Sequence, residues 1–178
     1  MTTKPPDSGT LYESALNHLA RYATTEAGLA RFLARRIDRW LRVEGEEGAD
    51  TARQAKATIP DVIAKVKAAG VLSDTVFAQS RAKRLTREGK SRRAALAHLA
   101  AKGVKGADAQ AALHEDPARE LAAACAYLRR RRAGPFGEMP EIKILGGMAR
   151  AGFSQETARQ ALRLSRDEAE ALVKTLQS

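Results

Sequence analysis

GGMARAGFSQETARQAL, residues 146–162, and AHLAAKGVKGADAQAAL, residues 97–113, decide the fold. Set over one another with their flanks at an offset of 49, they align Leu96 with Leu145, Leu99 with Met148, Ala100 with Ala149 and Gly103 with Gly152. Val104 then meets Phe153, Ala112 meets Ala161 and Leu113 meets Leu162. Each stretch reads as a helix with apolar residues at i, i+3 and i+4, a glycine free to turn left-handed, a hydrophobic residue at the corner, and a second helix. Gly152 stops a helix, Phe153 seals the corner and Leu162 carries the core onward, so the stretch reads as the spine of a repeat and not as a site.

Working outward, Pro5, Pro6 and Gly9 mark residues 1–10 as a flexible tail. Residues 11–72 form a first helical repeat. Tyr12, Ala15, Leu16, Leu19 and Ala23 keep helical spacing, the pair Thr24 and Thr25 offers a cap, and Leu29, Phe32, Leu33, Ile37, Trp40 and Leu41 make a clean apolar stripe. VEGEEGAD opens an insertion over residues 43–57 that reads as an acidic loop or a loosely extended helix, after which Thr58 caps a helix with Pro60 in its first turn. Ile59, Val62, Ile63 and Val66 face inward along that helix as far as Gly70.

A second, basic repeat spans 73–115. A helix over 74–88 carries Phe77 and Leu85, and Ser91 caps the next, which turns Ala95, Leu96, Leu99 and Ala100 inward. The third repeat, 116–164, opens on Asp116 and Pro117, buries Leu121, Ala124, Cys125 and Leu128, and restarts at Pro140 after RRRRAGPFG. Ser165 to Glu168 form a capping box for a C-terminal capping helix over 165–178. The predicted class is all-α: an elongated, curved array of three tandem three-helix repeats with an additional C-terminal helix. Aromatic residues make up only 4% of the chain, which suits thin helical layers better than one deep core.

A net charge of +10 predicts attraction to an acidic partner. No apolar run has the roughly 20 residues that a membrane span needs, and the start lacks a secretory pattern, so a cytoplasmic location without membrane contact is expected. Cys125 is the single cysteine and reads as a small core residue. His18, His98 and His114 stand far apart without metal-ligand spacing, and no phosphate-binding glycine loop or nucleophile motif is present. No catalytic residue, metal or cofactor is expected.

Between positions 81 and 105 stand nine basic residues, Arg81, Lys83, Arg84, Arg87, Lys90, Arg92, Arg93, Lys102 and Lys105, against the single acid Glu88. So one-sided a bias predicts an interaction surface. Arg129, Arg130, Arg131 and Arg132 exceed what one helix end requires and are candidates for a second contact. Tyr22, Phe32 and Trp40 lie outside this zone, and Phe32 and Trp40 belong to the apolar stripe. Contact with nucleic acid would then be to phosphates, indifferent to sequence and weakened by salt.

Four segments together resemble the RecX regulatory proteins: LARYATTEAGLARFLARR at 19–36, GVLSDTVFAQSRAKR at 70–84, LAAKGV at 99–104 and LGGMARAGFSQETARQAL at 145–162. In the second, Gly70, Val71, Leu72, Ser73, Asp74, Phe77 and Ala78 match the family's most recognisable segment; in the fourth, Gly152 and Phe153 match its third repeat. The chain departs from the family at the insertion 43–57 and at Ser91, where a helix-opening glycine is expected. The resemblance implies a non-enzymatic partner of the RecA recombinase filament on DNA, one that lowers its ATP hydrolysis, strand exchange and filament growth and so modulates homologous recombination and the SOS response; a monomer is expected. The charge pattern alone also fits a non-specific DNA-binding helical architectural protein.

Overall fold

Residues 5–176 are described by a computed structural model, and every regular element among them is helical. The chain divides into two compact units, one running to Phe77 and including Lys102–Val104, the other formed by Ala78–Ala101 and the residues from Lys105 onward. The first contains α1 (Ser8–Leu19), α2 (Glu26–Glu44), α3 (Ala49–Ala57) and α4 (Ile59–Ala68). The second takes in most of α5 (Asp74–Arg87) and α6 (Arg92–Lys102), then α7 (Gly106–Ala112), α8 (Pro117–Arg131), α9 (Glu141–Arg150), α10 (Gln155–Arg163) and α11 (Arg166–Thr175).

In the first unit the predicted stripe of α2 buries Leu29, Leu33 and Ile37 completely, against Leu11 and Ala15 of α1 and Val62 and Val66 of α4. Each such aliphatic side chain removed from water contributes about 1.5–3 kcal/mol, so this stripe dominates the stability of the unit. In the second unit α8 is buried on most sides through Ala122–Ala126 and Leu128. Its alanines let α10 and α11 approach closely, and Met148, Phe153, Ala161, Ala169 and Val173 complete the core.

The two aligned stretches share more than a helix stop. Gly103 and Gly152 both have φ of 90°, a conformation costly for any residue with a Cβ. The carbonyl just before each glycine accepts a hydrogen bond from a buried hydroxyl: Thr25 Oγ1 donates to Lys102 and Ser91 Oγ to Ala151, each at 2.6 Å. Both hydroxyls also cap helices, accepting from the amides of Gly28 at 2.9 Å and Ala94 at 3.1 Å. The glycines bring the backbones into range, since an added Cβ would stand 2.4 Å from Ala27 Cβ at Gly103 and 2.7 Å from Ser91 Oγ at Gly152.

Several expectations are corrected. Helix α1 begins at Ser8, because Asp7 and Thr10 close a capping box, so residues 8–10 are not tail. The part of the predicted tail at residues 1–4 lies outside the described residues, as does the end of the capping helix at 177–178. Ala23 lies beyond the end of α1 and is exposed. The acidic stretch 43–57 is mostly helical: α2 runs to Glu44, a single 3-10 turn covers Glu46–Gly48, and α3 follows at once. Ala52 and Ala55 bury one side of α3 against α2, and Lys56 pairs with Asp38 at 2.6 Å, so tertiary contact overrides the two glycines. Thr58 is already helical, at φ −84° and ψ −10°, and its hydroxyl donates to the Ala55 carbonyl instead of capping α4. Along α6 only Ala95 and Leu99 are buried; Leu96 is half-buried and Ala100 exposed.

Candidate interaction surface

The basic residues of the second unit divide by what their side chains do. On α5, Lys83, Arg84 and Arg87 are exposed and Arg81 is half-buried. Arg84 Nε donates to Glu88 Oε1 at 2.8 Å, and this hydrogen bond is the main reason the Glu88 carboxyl is held below its usual range. Such an exposed i,i+4 pair contributes little to stability and is readily exchanged for another anion. Lys90, Arg93, Lys105 and Arg129 are exposed as well. Among the described residues, no carboxylate lies within ion-pair distance of Lys83, Arg87, Lys90, Arg93, Lys105 or Arg129.

Other predicted contacts are held by the fold itself. Arg92 is half-buried: its Nε donates to the Leu113 carbonyl at 2.8 Å, its amide donates to Glu120 Oε2 at 2.9 Å, and Nη1 faces Glu115 at 3.6 Å. Arg130 reaches back to the turn after α5, where Nη1 donates to the Glu88 carbonyl at 3.0 Å and Nη2 to that of Gly89 at 3.4 Å. Arg131 stands 5.6 Å above the Tyr127 ring, and Arg132 takes a left-handed φ of 50° to end α8. Lys102 is exposed but belongs to the first unit, where its carbonyl accepts from Thr25.

Within the second unit Lys83, Thr86 and Arg87 of α5 edge an open groove of about 790 Å³. Asp116, Ala118 and Arg119 form one side of it, and Leu172, Thr175 and Leu176 another. Cations at the rim and aliphatic side chains beside them suit a protein partner whose surface is both acidic and apolar.

Two curated proteins resemble the chain over most of its length. The regulatory protein RecX of Myxococcus xanthus (strain DK1622) is 34% identical over 165 residues, covering 85% of this chain and 83% of its own. The regulatory protein RecX of Agrobacterium fabrum (strain C58 / ATCC 33970) is 33% identical over 135 residues, covering 66% of this chain and 72% of its own. This chain belongs to the RecX family. No family model and no solved structure matches it.

Both RecX relatives are named as regulatory proteins, which supports a regulatory role here. Cys125 is fully buried on α8, and burial pushes its thiol up to about 11, so it stays protonated near neutrality. Among the described residues no group of three or more His, Cys, Asp or Glu side chains gathers to hold a metal, and no helix is long and apolar enough to cross a membrane.

Sequence reasoning missed two sets of residues in this RecX-family chain. Arg119 is an internal strut: Nε donates to Thr86 Oγ1 and Nη2 to the Lys90 carbonyl, each at 3.2 Å. No sequence signal announces such a reach across the fold. Lys143 and Arg150 of α9 line a cleft with Arg131 and Tyr127, and their i,i+7 spacing across Gly147 is a helical stripe that the pattern does carry.

Proposed function

We propose that this RecX-family chain binds the RecA recombinase filament on DNA, lowers its ATP hydrolysis and strand exchange, and limits filament growth. Homologous recombination and the SOS response are thereby modulated without catalysis by the chain itself. What supports this is family membership together with the concentration of exposed cations on the second unit, where among the described residues no carboxylate stands within ion-pair distance of Lys83, Arg87, Lys90, Arg93, Lys105 or Arg129. Cations placed this way meet acidic protein surface or DNA phosphate without first breaking an internal ion pair.

In this reading the helices act as three tandem three-helix repeats, α1, α2 and α4 with α3 inserted, then α5 to α7, then α8 to α10, with α11 as terminal cap. The chain works as a cytoplasmic monomer. Lys83, Arg84, Arg87, Lys90, Arg93, Lys105 and Arg129 make the contacts, Arg81 and Lys102 flank them, and Arg92 and Arg130 hold the fold that presents them.

DNA-dependent ATP hydrolysis by RecA, measured with this protein at amounts well below RecA, tests the reading. Strong inhibition at such ratios is expected, because a filament-bound regulator affects many subunits. Inhibition only when DNA sites are saturated would instead favour a non-specific DNA-binding helical architectural protein that competes for DNA.

A further inference from the structure

The repeated stretch that reads as structural spine also lines a cleft. Lys143, Gly147 and Arg150 fall on one stripe of α9, and with Tyr127 and Arg131 at the end of α8 they line a space of about 310 Å³. Three cations converge there. Among the described residues none of the three has a carboxylate within ion-pair distance.

Comparison of the two aligned stretches separates spine from cleft. Helix α6 keeps the apolar positions and the glycine stop, but at the places of Lys143, Gly146, Gly147 and Arg150 it has Ala94, Ala97, His98 and Ala101. Two adjacent glycines inside a helix cost about 1 kcal/mol each relative to alanine, so α9 carries a penalty that its counterpart avoids. Gly147 is put to use. A Cβ there would stand 2.7 Å from the Tyr127 hydroxyl. Gly147 therefore admits a phenol to the wall of the cleft, and it is not needed for the helix itself. Arg131 is already held over the Tyr127 ring at 5.6 Å.

We propose that this cleft binds a phosphate monoester, with Lys143, Arg150 and Arg131 meeting the phosphate and Tyr127 offering its hydroxyl. A monoester carries nearly two negative charges near neutrality and three terminal oxygens, whereas each backbone diester carries one charge. Three cations around one small space match the monoester better. A free nucleotide and the 5′-phosphorylated end of a DNA strand both supply this group. The site goes beyond filament regulation and is tested without RecA.

The test follows the amide signals of Gly146, Gly147 and Ala151 in nitrogen-15 spectra during titration with dAMP, with inorganic phosphate, and with one short single-stranded oligonucleotide carrying either a 5′-phosphate or a 5′-hydroxyl. Saturable shifts at these amides are expected with dAMP or with the 5′-phosphorylated strand, whichever is the source, and the 5′-hydroxyl strand should bind there at least about tenfold more weakly. Lys143→Ala with Arg150→Ala, both exposed, should weaken binding on the order of tenfold or more while leaving the remaining spectrum in place. Lys83→Ala with Arg87→Ala, which lie outside the cleft lining, should leave the ratio of 5′-phosphate to 5′-hydroxyl strand binding at these amides unchanged. Equal binding of the two strands at the cleft, absence of shifts at Gly147 with every probe, or unchanged affinity in the Lys143/Arg150 variant would overturn the proposal.

Discussion

Replacing Gly152 with alanine tests the link between the repeated glycine and the buried hydroxyl. At φ of 90° a residue with a Cβ loses about 1–2 kcal/mol to backbone strain. The new Cβ would stand 2.7 Å from Ser91 Oγ, so Ser91 must move away from the Ala151 carbonyl and the Ala94 amide. Losing the cap costs about 1 kcal/mol, and leaving a buried carbonyl unpaired about 1–3 kcal/mol. The expected total is about 3–6 kcal/mol. Ser91→Ala loses the same bonds without the strain and should cost about 1–2 kcal/mol less. Because both changes remove one contact, the double variant should be less destabilised than the sum of the singles. Urea unfolding followed by circular dichroism gives the energies, and hydrogen exchange at α6 and α9 shows where they fall. A cost below about 1 kcal/mol for Gly152→Ala, or strict additivity in the cycle, would refute the reasoning.

Three further outcomes follow from the same geometry. Arg92→Ala should lower stability by about 1–3 kcal/mol in urea unfolding, because the Leu113 carbonyl loses a donor, whereas Lys83→Ala with Arg87→Ala should stay within about 0.5 kcal/mol per site. Cys125 should react with a thiol reagent in mildly alkaline buffer only as fast as the protein opens, because burial holds its thiol near 11; rapid labelling of the folded protein would contradict this. His18 stacks on Phe32 at 4.0 Å, and burial, then Arg35, hold its pKa below the usual value. As the pH falls below about 6.5 the unfolded chain takes up a proton that the folded chain refuses, so the first unit loses stability there. His18→Phe should flatten that dependence in melting curves taken across the window.

Legibility in the sequence followed the range of the forces involved. Helix α2 was plain because its stripe is local and large, and the stops at Gly103 and Gly152 because only glycine tolerates their backbone. Helix α3 was hidden, since Gly45, Gly48 and the acids around them signal a break while the burial of Ala52 and Ala55 depends on a distant helix. The charge run shows where the cations stand along the chain but not what each side chain does in the fold. Arg92, Arg119 and Arg130 are drawn to carbonyls or hydroxyls 21 to 42 positions away, which no local pattern encodes. Lys143 and Arg150 are readable in principle from their i,i+7 spacing, but the stretch from Gly146 onward reads first as repeat spine.

Co-sedimentation with RecA filaments assembled on single-stranded DNA, beside bare DNA and beside RecA alone, tests the central claim most directly. The protein should pellet with the filaments at a salt concentration where bare DNA no longer retains it, and Lys83→Ala with Arg87→Ala should weaken that retention without unfolding the chain. Equal retention on bare DNA, or none by the filaments, would contradict the account.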